Sequence, residues 1–135
     1  MGIEITVGKK TFVPTKSSHA EPLATAHMKG KTIASMDINE YPCLPCIMHL
    51  VQFAKSEKRN IVMNCTAPAT HNYWDGGPAL IFNQHRSTLT ANGPGNCTLT
   101  FLSSGAIQLN YGAQPALRVV ITKYTPSKVT SDVST

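Results

Sequence analysis

No stretch of this 135-residue chain approaches the ~20 consecutive apolar residues that a helix needs to cross a bilayer. A helical membrane span is therefore excluded, and no membrane partner is expected. The opening residues, MGIEITVGKKTF, lack the apolar core of a secretory signal. Export by that route is not marked, so the expected setting is reducing and cytoplasmic. Charged residues are sparse at 14%, against 41% hydrophobic, which fits a globular chain and excludes a charge-expanded disordered one. There is no internal repeat, charge block or interior linker. Cysteine is also scarce, with four in all. In a reducing compartment, so few thiols do not read as a disulfide framework. A close pair among them points to metal binding or redox chemistry.

The charge that is present leans one way. Lys and Arg number 12 against 7 Asp and Glu, a formal net charge of +5. A basic balance suits a polyanionic partner, of which nucleic acid is the commonest, although a merely soluble basic domain has the same composition.

The length suits one domain with one core. Residues 1–126 read as that domain, and the polar stretch 127–135, ending in VTSDVST, reads as a loose tail. IEITV and KTFVP suggest a hairpin about Gly8 and Lys9. Ser18 stands three residues before Glu21, the spacing of a capping box, and opens a helix that should stop at Gly30. KTIASMDI reads as a buried strand. A second helix starts near Pro42, with Ile47, Leu50, Val51 and Ala54 forming one apolar stripe. NIVMNC follows as a strand, completing a strand–helix–strand crossover with parallel strands. GPALIFNQHRSTLTANG reads as a helix, NCTLTFL and AIQLNYG as strands about Ser104 and Gly105, and ALRVVITKY as the last strand. The fold class predicted is an α/β sandwich, a central mixed sheet flanked by helices.

Chemistry concentrates between Ser17 and Cys46. His19 stands at the start of the first helix, and Cys43 and Cys46 stand in the first turn of the second. One imidazole and two thiolates leave a tetrahedral Zn2+ with one open position, the condition for catalytic zinc. A helix N-terminus also favours thiolate at both cysteines. Zinc at such a site acidifies its water toward neutral pH. Glu21, two residues from His19, is placed to shuttle the proton to a leaving nitrogen.

His19-Ala20-Glu21 followed by Pro42-Cys43-Leu44-Pro45-Cys46 matches the H-x-E…P-C-x-x-C signature, and in this the chain resembles the zinc-dependent cytidine and nucleobase deaminases, bacterial toxin-type deaminases included. Either half of the signature recurs by chance. The two in order, each opening a helix with a strand between, are far more specific. The resemblance runs from about Lys10 to Leu102. It implies a cytidine-deaminase-like fold, zinc on His19, Cys43 and Cys46, proton transfer by Glu21, and hydrolysis of a C–N bond that turns cytosine into uracil. The chain departs from the family pattern in lacking its leading helix before His19 and in carrying extra strands after NCTLTFL.

The +5 charge and the aromatic stretch after NIVMNC favour a nucleic acid substrate, single-stranded DNA first. His71, Tyr73 and Trp74 in that stretch, and Lys16 before the motif, are the candidate substrate contacts, with Lys9 and Lys10 also placed to touch phosphates. Core-closing aromatics and a solvated basic edge would explain the same residues. If the chain is the catalytic tip of a delivered toxin, it works in the cytoplasm of a target cell and has an inhibitor or immunity protein as partner. The alternatives are a free-nucleotide deaminase of the deoxycytidylate type, an adenosine deaminase acting on RNA, and a non-catalytic module with a redox dithiol or a closed zinc site completed by His49 or Cys65. Cys65 and Cys97 otherwise read as small core residues.

Overall fold

The computed structural model describes residues 3–66, 81–82, 96–125 and 128–135. The chain begins with a short hairpin, β1 (Ile5–Val7) and β2 (Lys10–Phe12), turning at Gly8. Gly8 has φ of 62°, a left-handed conformation that a residue without Cβ adopts at no steric cost. Helix α1 (Ala20–Met28) follows and ends ahead of Gly30, whose φ is 74°. Strand β3 (Ser35–Ile38) leads into α2 (Leu44–Glu57), and β4 (Ile61–Thr66) returns parallel to β3. Then come β5 (Asn96–Phe101), β6 (Ile107–Asn110), β7 (Leu117–Thr125) and β8 (Lys128–Ser134).

All eight strands join one mixed sheet in the order β2-β1-β3-β4-β5-β6-β7-β8. Only β3 and β4 pair in parallel among these neighbours. The register explains the core. Ile5, Ile38, Cys65 and Cys97 face one another across four strands, and Met63, Leu99, Leu109 and Leu117 form a parallel row beside them. Every one of these eight side chains is buried. Side chains alternate along a strand, so the opposite face carries Thr6, Asp37, Asn64 and Thr98, linked in part by hydrogen bonds from Asn64 Nδ2 to Asp37 Oδ1 (3.0 Å) and from Thr98 Oγ1 to Asn64 Oδ1 (3.3 Å).

The predicted stripe on α2 is the one that is buried: Ile47, Leu50, Val51 and Ala54 join the core, as do Ala20, Ala24 and Met28 of α1. Arg59 ties the far ends of the two helices together. Its guanidinium donates to Ile33 O (2.6 Å) and Met28 O (3.0 Å) and pairs with Glu57 at 3.4 Å.

Three sequence expectations change. Within the stretch expected as a loose tail, Lys128–Ser134 is the edge strand β8, paired with β7, and Ser131 Oγ donates to Ile81 O at 3.3 Å. Its Val, Thr and Ser alternation is what a half-exposed edge strand requires, and that composition also resembles a tail. The buried strand read in KTIASMDI is confined to its last four residues. Helix α1 starts one residue later than a capping box at Ser18 requires: His19 is the N-cap, and Ser18 Oγ donates to His19 O (3.1 Å) instead of accepting from a helix amide. The hairpin about Ser104 and Gly105 forms as expected. Of the helix expected between residues 77 and 93, only Ile81 and Phe82 are described; both are helical and buried.

Candidate metal centre

Strand β3 ends at Ile38, and the chain turns over Tyr41 and Pro42 into the N-terminus of α2. Cys43 therefore sits at the carboxyl end of the parallel strand pair, where open α/β sheets bind ligands. The N-terminus of α1 meets it there. Both helices begin with an unusual N-cap. His19 and Cys43 hold extended backbone angles (φ −72° and −70°), yet neither side chain caps its own helix. Ser, Thr, Asp or Asn normally fills this position and bonds a backbone amide. Here the two side chains turn toward each other instead.

His19 Nδ1 lies 3.6 Å from Cys43 Sγ and 3.4 Å from Cys46 Sγ. The ligand atoms of all three residues fall within 4.8 Å of one another. A tetrahedral zinc with Zn–S of about 2.3 Å and Zn–N of about 2.05 Å places each nitrogen–sulfur edge at about 3.6 Å. The observed separations match that edge, and soft sulfur with imidazole is a donor set that zinc favours. The residues thus fit a metal ion, with His19 exposed, Cys43 half-buried and Cys46 buried.

The two thiols share their acidity unequally. Cys46 donates a hydrogen bond to the Cys43 sulfur, and this holds Cys43 down at about 6 against the opposing effect of burial; the His19 imidazole adds to the lowering. Cys46, the donor, is pushed far up by the same bond, then by burial and by the Glu21 charge. Without a cation, the pair therefore keeps one proton between two sulfurs near neutral pH.

Glu21 is the second unusual feature. It occupies the first turn of α1, fully buried, and neither carboxylate oxygen has a hydrogen-bond partner among the described residues. Its charge acts on Cys43, Cys46 and His49. Burying a carboxylate without partners costs folding free energy, and such groups concentrate at functional sites.

His49 does not join the ligand group. Its Nε2 lies 2.8 Å from Thr25 Oγ1, and that hydroxyl also lies 3.1 Å from the carbonyls of Glu21 and Pro22. The Thr25 hydroxyl thus bridges the His49 ring of α2 and the carbonyls of the first turn of α1. The chain of bonds pins α2 to the turn of α1 that carries Glu21. Partial desolvation lowers the pKa of His49, against the raising effect of Glu21. Sequence reasoning missed Thr25; its only signal was a hydroxyl four residues after Glu21, on the same helix face.

Cys65 and Cys97 are core residues as expected, directly opposed across β4 and β5. The Cys97 thiol and burial push Cys65 well above the usual thiol range. They also line an open cleft of about 350 Å³ with Asn64, Thr66, Asn96 and Tyr111, at the carboxyl end of β4 beside β3. Lys16 is exposed in the segment between β2 and α1, three residues before His19. The candidate contacts His71, Tyr73 and Trp74 lie outside the described residues. Among the described residues, no helix is long and apolar enough to cross a membrane. No protein-family model, curated protein or solved structure matches the chain.

Proposed function

We propose that the chain is a zinc-dependent hydrolytic deaminase that converts cytosine to uracil in nucleic acid, with single-stranded DNA as the favoured substrate. The observation that carries this reading is the fully buried Glu21 carboxylate, whose charge acts on Cys43 and Cys46 and whose nearest partner is the Cys46 thiol, set against the His19, Cys43 and Cys46 ligand group. A structural zinc site has no use for such a group, whereas a proton shuttle needs it. Zinc held by His19, Cys43 and Cys46 would supply Lewis acidity enough to make water a nucleophile near neutral pH. Glu21 takes the proton of the attacking water and returns it to the exocyclic amino nitrogen. A C–O bond forms, the C–N bond breaks and ammonia leaves. His49 and Thr25 hold the Glu21 turn in place against α2 while this happens.

The preference for nucleic acid over a free nucleotide rests on the +5 charge and on the aromatic stretch of sequence after β4. A second reading, a redox-active dithiol, is favoured by the Cys43 thiol held at about 6. One experiment separates them. Purified protein is incubated with single-stranded DNA, duplex DNA, RNA and free nucleotides, and the products are sequenced or chromatographed beside a Glu21→Ala control of equal zinc content. Cytosine-to-uracil conversion lost in the control supports the proposal. Full activity in the control refutes the role of Glu21, and thiol–disulfide exchange without deamination supports the dithiol.

A further inference from the structure

The far end of α1 carries a second group of side chains that the metal centre does not use. Lys31 Nζ lies 3.3 Å from His27 Nδ1. The His27 ring packs against Phe12 of β2, with centroids 5.4 Å apart and planes tilted by 46°. Lys10 Nζ stands over the same Phe12 ring, 5.6 Å from its centroid. Lys10 and Lys31 are both exposed. Two nitrogen-bearing side chains, Lys10 and His27, thus meet at one aromatic ring, and Lys31 from the following loop joins them through His27.

We infer that Lys10, His27 and Lys31 form an anion-binding surface for the phosphodiester backbone of single-stranded nucleic acid, a second contact for the substrate class proposed above and dependent on that reading for its biological meaning. The groups that act on His27 are cationic: after desolvation, Lys31 and then Lys10 disfavour its protonated form. Glu57, which reaches the Gly30 amide at this end of α1, is already engaged by Arg59. Clustered cations repel one another, and a bound phosphate oxygen relieves that repulsion by offering each an acceptor.

Distance supports the same conclusion. His27 follows His19 by eight residues, which is about 12 Å along a helix. At roughly 3.4 Å per stacked nucleotide, that span is three to four nucleotides. A strand with one base at the metal centre and its backbone running along α1 meets the cluster. The bland explanation, cations placed at a helix C-terminus to offset its dipole, accounts for His27 and Lys31 but not for Lys10, which stands on a strand.

The test uses Glu21→Gln protein with a labelled oligothymidylate, which binds through its backbone and offers no cytosine. Affinity is followed against salt for that protein and for two derivatives. One adds Lys10→Gln and Lys31→Gln. The other, with the same loss of charge, adds Lys123→Gln and Lys128→Gln on β7 and β8, at the opposite side of the sheet. Each lost phosphate contact lowers the slope of log affinity against log salt by about 0.7, so the first derivative should lose about 1.4 and the second nothing. Equal slopes in all three proteins, or equal losses in both derivatives, overturn the inference. So does a lower melting temperature in the first derivative with unchanged DNA affinity, the outcome expected of helix-end stabilisation alone. As a second readout, DNA should raise the pKa of His27 followed by NMR, with binding taking up a proton; an unmoved His27 also counts against the surface. Because no turnover is involved, a chain that fails to deaminate can still pass this test, and an active deaminase can fail it.

Discussion

Replacing Glu21 should make the metal-free protein more stable while abolishing the deamination proposed for it. The carboxylate is fully buried, and both of its oxygens lack hydrogen-bond partners among the described residues. An unsatisfied buried polar group costs about 1–3 kcal/mol, and more when charged. Glu21→Gln keeps the shape and removes the charge, so it recovers part of that cost without opening a cavity. A gain of about 1 kcal/mol raises the melting temperature of a domain this size by roughly 3–5 °C. Glu21→Ala recovers the same electrostatic term but leaves a void that returns some of it. Zinc changes the sign of the argument, because a nearby cation gives the wild-type carboxylate a countercharge. The stabilisation should therefore be largest in chelator and shrink or vanish with zinc. Thermal unfolding of wild type and Glu21→Gln, each with chelator and with saturating zinc, measures all four states. If Glu21→Gln lowers the melting temperature in chelator, the carboxylate is a structural group and the case for catalysis loses its main support.

Zinc affinity should climb with pH. Below about 6 both thiols are protonated and binding displaces two protons from them; above about 6 Cys43 is already thiolate and only the Cys46 proton remains to be displaced. Competition with a coloured chelator from pH 5 to 8 should show the thiol contribution to the slope fall from about two to about one per pH unit; a flat profile contradicts the shared proton. The depressed Cys43 value also adds stability to the metal-free fold that is present above the ordinary thiol range and is lost as pH falls through about 6. Thr25→Val and His49→Ala each cut the bond between α1 and α2 and should cost about 1 kcal/mol; Thr25→Ser should restore it, and equilibrium unfolding reads the change. Leu50→Ala, in the fully buried stripe of α2, should cost about 2–5 kcal/mol by denaturant unfolding without altering the ligand atoms.

The parts of this molecule that could be read in the sequence are those set by short-range spacing. The stripe on α2 repeats every three or four residues, and its position placed both cysteines at a helix start. The hairpins announce themselves through Gly8 and Gly105 between alternating segments. The grouping of His19 with Cys43 and Cys46 followed from two helix starts on neighbouring elements. What escaped depends on pairings that no local pattern encodes. β8 is a strand because β7 offers it a partner, and its own residues are as polar as a tail's. The N-cap is His19 and not Ser18, and the Ser18 hydroxyl bonds the His19 carbonyl. Thr25 and His49 are 24 residues apart. Lys10, Phe12, His27 and Lys31 meet only once β2 lies against α1.

The order of the strands also sets an order of assembly. From β5 to β8 each strand pairs with its successor in the chain, and such hairpins close short loops quickly. β3, by contrast, must insert between β1 and β4, joining segments separated by whole helices. The two helix starts that bear His19 and the cysteine pair flank this late-arriving strand. When the full-length chain refolds from denaturant, the meander should therefore form first and His19, Cys43 and Cys46 should come together only near the end, so that a metal added early meets the cysteine pair before the imidazole.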